Sequence, residues 1–199
     1  MNSFWDTRYS TADHVYGKEP NGFFASQLES IVPGRILLPG EGEGRNAVYA
    51  ATQGWTVDAF DQSSVAREKA LKLASEKGVQ ISYSVCLLQD FPFQPNHYDA
   101  AGLIFFHAES SSRRYLHRKI YESLKPGGLL ILEAFHKEQL NNDSGGPKSL
   151  ELLFDEEELS MDFSPFETLL LEKREIVLNE GEFHRGESTV IRFTGKKLK

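Results

Sequence analysis

The chain has 199 residues, 40% hydrophobic and 26% charged, which fits one globular domain with a full core. Its formal net charge of -7 argues against a nucleic-acid backbone as main partner, because phosphate binding needs a clustered basic face and none is legible here. The single cysteine, Cys86, excludes an intrachain disulfide and a multi-cysteine zinc site; in its apolar run it reads as a small buried hydrophobe. No stretch approaches the roughly 20 apolar residues that span a bilayer, and the polar, aromatic start lacks an apolar signal core. The expectation is a cytoplasmic protein without a membrane partner.

In chain order, Phe4-Trp5-Asp6-Thr7-Arg8-Tyr9 is dense in aromatics and Tyr16-Gly17-Lys18-Glu19-Pro20-Asn21 reads as a turn. A helix is expected over residues 22–30, with Phe23, Phe24 and Leu28 on its apolar side, before Pro33-Gly34 breaks the chain. The unalternated run Ile36-Leu37-Leu38 suits a strand buried on both faces of a parallel sheet. A helix over 45–52, a strand over 56–60 and a helix over 64–76 follow, the helices stopped near Gly54 and Gly78. Strands over 81–87 and 100–106, a helix over 111–124, the turn Lys125-Pro126-Gly127-Gly128 and a strand over 129–134 come next. The acidic stretch 150–163 reads as one helix with Leu152, Leu153, Leu159 and Phe163 on one face. Two strand-like runs, 167–178 and 189–193, flank Asn179-Glu180-Gly181 without an intervening helix, so they should pair as an antiparallel hairpin. Alternating strands and helices imply an α/β, doubly wound, mostly parallel sheet.

The most informative residues are Pro39-Gly40-Glu41-Gly42-Glu43-Gly44-Arg45-Asn46, between the first parallel strand and its helix. Glycines there permit a tight turn and let a ligand press on bare backbone beside unpaired helix N–H groups. Asp61, ending the second strand about twenty residues on, can accept from both hydroxyls of an adenosine ribose; as a mere helix cap it would compete with Ser63 and Ser64. In Leu88-Gln89-Asp90-Phe91 the aspartate can accept from an adenine amino group while Leu88 or Phe91 packs on the ring. Gly-x-Gly-x-Gly differs from the Gly-x-Gly-x-x-Gly of dinucleotide loops. Glu41 and Glu43 would repel a pyrophosphate but tolerate a sulfonium and a free amino group, which favours S-adenosylmethionine over a nicotinamide or flavin dinucleotide.

These motifs resemble those of the class I S-adenosylmethionine-dependent methyltransferases: Leu37 to Asn46 looks like their first motif, and Leu124-Lys125-Pro126-Gly127-Gly128 like the turn before their fifth strand. The resemblance covers nearly the whole chain, including the terminal hairpin of the seven-stranded, Rossmann-like version. The opening from Phe4 to Tyr9, with Tyr16-Gly17 and Pro20-Asn21, is similar to the tellurite-resistance and thiopurine-type small-molecule methyltransferases, and implies that Trp5 and Tyr9 fold over the cofactor. Pro39 stands where many relatives have Leu, and Glu41 where Cys or Ala is common. The implied cofactor contacts are Trp5, Tyr9, Gly40, Glu41, Gly42, Gly44, Asn46, Asp61, Gln62, Leu88, Gln89, Asp90, Phe91 and Phe106. S-adenosylhomocysteine is the implied product. The implied organisation is a single domain with a cap segment (1–30), a cofactor-binding core (35–136) and an acceptor side (137–199).

Methyl transfer from a sulfonium mainly requires alignment in a dry site, and orientation alone can supply about 7–11 kcal/mol. A thiolate or metalloid oxyanion needs no base, whereas a hydroxyl or carbon acceptor does. His107, after the fourth strand, is the leading candidate as base or orienting donor, the alternative being a histidine simply bonded to a backbone carbonyl. His136 could face the same cleft; His184 could reach over the acceptor pocket but reads more simply as an exposed loop histidine. Arg8 could neutralise an anionic acceptor, or sit in a surface ion pair. Residues 141–147 are long enough for part of a lid. The histidines and carboxylates have no metal-ligand spacing. Two alternatives are a non-catalytic adenosine-ligand binder on this fold and a nicotinamide-dependent oxidoreductase.

Overall fold

In the computed structural model, which describes residues 4–198, the apolar runs become strands. Ile36, Leu37 and Leu38 in β1 (Arg35–Pro39) are all at most 1% exposed, as a strand covered on both faces requires. The seven strands form one sheet in the order β3-β2-β1-β4-β5-β7-β6. The chain divides into two compact units, one running to Pro92 and including Glu180–Glu182, the other comprising Phe93–Asn179 and Phe183 onward.

The first unit holds α1 (Phe4–Tyr9), α2 (Gly22–Leu28), β1, α3 (Arg45–Thr52), β2 (Thr56–Asp61), α4 (Ser64–Glu76) and β3 (Ser82–Val85). β1 pairs in parallel with β2, and β2 with β3. The aromatic opening, which carried no expectation of regular structure, is a one-and-a-half-turn helix. It is tied down because Ser63, the N-cap of α4, also donates to Asp6 at 2.6 Å, and Tyr9, Val15 and Ala66 pack with Trp5, Tyr16 and Val65. Ser63 caps α4, so Asp61 does not.

The second unit holds β4 (Tyr98–Ile104), α5 (Ser110–Ser123), β5 (Leu124–Phe135), α6 (Glu156–Asp162), β6 (Phe166–Asn179) and β7 (Arg185–Lys197). β4 pairs in parallel with β5, β7 runs antiparallel to β5, and β6 and β7 form the expected antiparallel hairpin. Gly128 is required where β5 passes the start of β4: a Cβ there would lie 2.9 Å from Lys125 O and 3.2 Å from Tyr98 O and Asp99 O. The acidic stretch departs from the single helix expected. Leu150–Leu152 forms one 3-10 turn, and α6 starts only after Asp155, whose side chain accepts from Glu158 N. The break lets buried Leu153 and Phe154 reach inward, where Phe154 N bonds Phe135 O. Among the described residues no helix is long and apolar enough to cross a membrane.

Candidate active site

The donor side is built on the loop after β1. Gly40, Gly42 and Gly44 all have positive φ (60°, 61° and 88°), a conformation that penalises any Cβ. At Gly42 and Gly44 the missing side chains also make room for protein: a Cβ on Gly42 would meet the Tyr9 hydroxyl at 2.8 Å, and one on Gly44 would meet Ala70 Cβ at 2.5 Å. Gly42 is held from three directions. Its N–H donates to Asp61 (3.1 Å), its carbonyl accepts from the Tyr83 hydroxyl (2.6 Å), and Tyr9 lies over its Cα.

Both loop glutamates find hydrogen-bond partners within the protein. Gly44 precedes α3 and cannot cap it through a side chain. Glu41 does so instead, one oxygen accepting from Asn46 N (2.9 Å) and Ala47 N (2.7 Å). Burial raises its carboxyl to about 7 against the opposing pull of those N–H donors and of Arg45. Glu43 is 5% exposed and accepts from Val15 N and Lys69 Nζ, both at 2.7 Å. Asn46 is equally engaged: its side chain bonds Glu41, and its oxygen accepts from Asn21 N (2.9 Å). Glu41, Glu43 and Asn46 therefore shape the loop and moor residues 15–21 to it.

Asp61, at the carboxyl end of β2, is 8% exposed and accepts from Gly42 N and Ser63 N. Burial raises its pKa, with the N–H groups of Ser63, Gly42 and Gln62 acting in the opposite sense. Gln62, Gln89 and Asp90 are exposed, and Leu88 is half-buried. Phe91 is buried with one face stacked on Phe60, centroids 4.2 Å apart. Cys86 is half-buried; burial and then the charges of Asp90 and Asp61 push its thiol up, which makes it a poor nucleophile. Trp5 stacks on Tyr9 at 5.5 Å. Arg8 lies 5.1 Å over the Phe4 ring and bonds the Tyr16 side chain.

Whether this half fits S-adenosylmethionine can be judged from its charge. Burial, then Asp61, Glu41, Tyr9 and Glu43, push the Tyr83 hydroxyl well above its ordinary range. The cations beside those acids are spoken for, Arg45 by Glu180 (2.8 Å) and Lys69 by Glu43. A negative, donor-poor cradle suits a sulfonium and an ammonium and disfavours a pyrophosphate.

The acceptor-side candidates lie in the second unit. Phe105 follows β4 with φ 51°, unusual for an aromatic residue, and its N–H is fixed on Glu133 O at 2.7 Å. Phe105, Phe106 and His107 are each half-buried. His107 Nδ1 lies 2.7 Å from Leu152 O, while its Nε2 is closed from solvent and has no hydrogen-bond partner. The ring lies near-parallel to Phe135 at 5.6 Å. Burial lowers its pKa to about 4, although the Leu152 carbonyl pulls the other way. His184 is 6% exposed, not the exposed loop residue anticipated, and packs edge-on to Phe105 (4.5 Å) and Phe135 (5.2 Å). His136 has both ring nitrogens engaged, Nδ1 accepting from Glu138 N and Nε2 lying 3.2 Å from Glu156. Residues 141–147 are tied down, with Ser144 bonded to Gln139, Ser188 and the Glu187 carbonyl. Among the described residues no group of three or more His, Cys, Asp or Glu could hold a metal ion.

Tyr83, Glu180 and the strained backbone of Phe105 were not anticipated. Alternation in 82–85 marks Tyr83 as inward-facing, but nothing in the pattern names Gly42 as its partner.

Residues 36–128 match a protein family described as a methyltransferase domain. No curated protein matches the chain. Among solved structures it is similar to TehB from Haemophilus influenzae, with a TM-score of 0.75 at 18% identity over 98% of this chain and 66% of that one. It is similar to an S-adenosylmethionine-dependent methyltransferase from Methanosarcina mazei (TM-score 0.67, 18% identity, 90% of this chain and 99% of that one). A third likeness is to 1,6-didemethyltoxoflavin-N1-methyltransferase from Burkholderia thailandensis, solved with bound 1,6-didemethyltoxoflavin and S-adenosylhomocysteine (TM-score 0.63, 18% identity, 88% and 75%). At such identities the likeness carries the fold, and the family match carries the reaction type. Residues 36–128, just under half of the chain, thus resemble a methyltransferase domain, and the chain shares its fold with S-adenosylmethionine-dependent methyltransferases.

Proposed function

We propose that this chain transfers a methyl group from S-adenosylmethionine to a small-molecule acceptor. The cofactor is held by the loop 40–44, Asp61, Gln62 and residues 88–91, with Trp5 and Tyr9 as its cover. His107 meets the acceptor. Residues 1–30 are then the cap segment, 35–136 the cofactor-binding core and 137–199 the acceptor side of one cytoplasmic enzyme without a nucleic-acid partner, in keeping with its net charge of -7.

The observation that carries this reading is the Asp61–Gly42 pair. A buried carboxylate at the carboxyl end of a parallel strand grips the glycine loop through one N–H, accepts from the Ser63 and Gln62 N–H groups as well, and keeps about one lone-pair site for a ribose hydroxyl. When bound, S-adenosylmethionine supplies an electrophilic methyl carbon and a leaving group that needs no further activation. The protein's part is to orient the reactants and exclude water.

Calorimetry with S-adenosylmethionine and S-adenosylhomocysteine tests it. The unsubstituted protein should bind both, and Asp61→Asn should weaken binding by about 10- to 100-fold, the range for losing hydrogen bonds to a charged group. No binding by the unsubstituted protein up to millimolar ligand would remove the proposal.

A further inference from the structure

β6, 14 residues long, lies at one edge of the sheet, with β7 on its inner side and no strand beyond it among the described residues. Nor does any turn or loop there bond the outward main-chain groups of residues 170–178. Such an edge presents a row of N–H and C=O groups ready to pair with another strand. Its register against β7 shifts between Thr168 and Leu170 and then runs unbroken from Leu170 to Asn179. The straight part past this bulge is where a further strand can add. Alternate residues share a face, and one face of the straight part carries Leu171, Lys173, Glu175 and Val177. Lys173, Glu175 and Val177 are exposed, Val177 to 76%. In chain order that face is apolar, basic, acidic, apolar; in reverse order it is apolar, acidic, basic, apolar. The face therefore complements an antiparallel copy of itself.

We propose that the β6 edge is a dimer interface, where it pairs antiparallel with β6 of a second copy of this chain about a two-fold axis at Arg174. Centred there, Lys173 faces Glu175 twice and Leu171 faces Val177 twice, while Leu170 meets Leu178 at both ends. A two-fold axis perpendicular to the sheet keeps each face on its own side, so the strand meets its copy about a residue and not between two. A centre at Lys173 pairs Arg174 with Glu172 but sets Glu175 on Leu171 and Val177 on the bulged Leu169. A centre at Glu172 opposes two glutamates and sets Lys173 on Leu171. At Arg174 two guanidinium groups do approach, but each has Glu172 of its own strand 3.5 Å away. Edge lysines ordinarily repel an incoming strand. Lys173, bonded at 2.7 Å to exposed Glu138, instead meets a glutamate of the copy, and that glutamate forms no ion pair among the described residues. With residues 170–178 facing their copies, about eight to ten main-chain hydrogen bonds cross the two-fold.

Analytical ultracentrifugation of the whole chain, from micromolar to millimolar protein, tests this. The unsubstituted protein should populate a dimer. Glu175→Lys makes both facing charge pairs repulsive and should weaken dimerisation by about 10- to 100-fold. Adding Lys173→Glu to that variant restores opposite charges at both positions and should recover the dimer, a rescue that general damage to the fold would not give. Oxidised Arg174→Cys should link two chains through position 174, which faces itself across the axis; the unsubstituted protein, whose single cysteine is Cys86, is the control. The proposal is overturned if the unsubstituted protein stays monomeric at millimolar concentration or if Glu175→Lys dimerises as tightly. It is equally overturned if the doubly substituted chain, with an unchanged circular dichroism spectrum, remains monomeric.

Discussion

Replacing Glu41 by glutamine should remove a pH-dependent cost built into the cofactor loop. One carboxylate oxygen accepts both Asn46 N and Ala47 N, and a glutamine carbonyl can do the same without the charge. In the folded protein burial raises the Glu41 carboxyl from 4.5 to about 7. The folded state thus holds this proton more tightly than the unfolded chain does. The cost is absent below pH 4.5, grows as the pH rises to about 7, and is constant above that. At about 1.4 kcal/mol per unit the full shift is worth about 3 kcal/mol. Glu41 keeps partial contact with solvent, and screening trims the figure to between about 1 and 3 kcal/mol. Urea unfolding of both proteins from about pH 5 to about pH 8 measures it, since every other titrating group cancels in the difference. The difference should move toward the glutamine variant by that amount. Curves that stay parallel to within about 0.5 kcal/mol would refute a buried, charge-penalised cap.

Two further substitutions probe the same unit. Gly44→Ala combines left-handed backbone strain of about 1–2 kcal/mol with a forced retreat of α4, whose Ala70 Cβ lies 2.5 Å from the new methyl position. Together these should destabilise the protein by about 2–5 kcal/mol in thermal or urea unfolding, and a loss under about 1 kcal/mol would contradict the packing reading. Arg45→Ala and Glu180→Ala should each cost about 3–5 kcal/mol, because their side chains are only 9% and 15% exposed and each removal strands a buried charge. The double variant should fall well short of the sum in a double-mutant cycle; simple additivity would mean the pair is not one unit.

Strand and helix order was legible because each element carried its own period and stop. Ile36-Leu37-Leu38 announced a doubly covered strand, and Gly54 and Gly78 followed their helices at φ 89° and 69°. The reading of 150–163 as one helix failed for a local reason. Asp155 is a strong N-cap in the middle of the acidic run, so the chain restarts there, and periodicity cannot distinguish one helix from a turn followed by a shorter one. The same limit hid α1, whose six residues are too few for a period and which stands on the Asp6–Ser63 bond and the packing of Tyr9.

The loop acids make a different point about what residue type conveys. Pattern alone put Glu41 and Glu43 toward a ligand, yet each is satisfied inside the protein, Glu41 by α3's N–H groups and Glu43 by Val15 and Lys69. The missing cap was deducible, since a helix entered through Gly44 needs an acceptor from elsewhere; its identity was not, because Glu41 reaches five and six residues ahead. Satisfying an acid's hydrogen bonds does not cancel its field. Tyr9 and Tyr83, which contact the loop, are both pushed well up, by burial first and then by Asp61, Glu41 and Glu43 among their neighbours. The preference for a sulfonium over a pyrophosphate that the proposed function needs can therefore be carried by potential, with both glutamates bonded inside the protein.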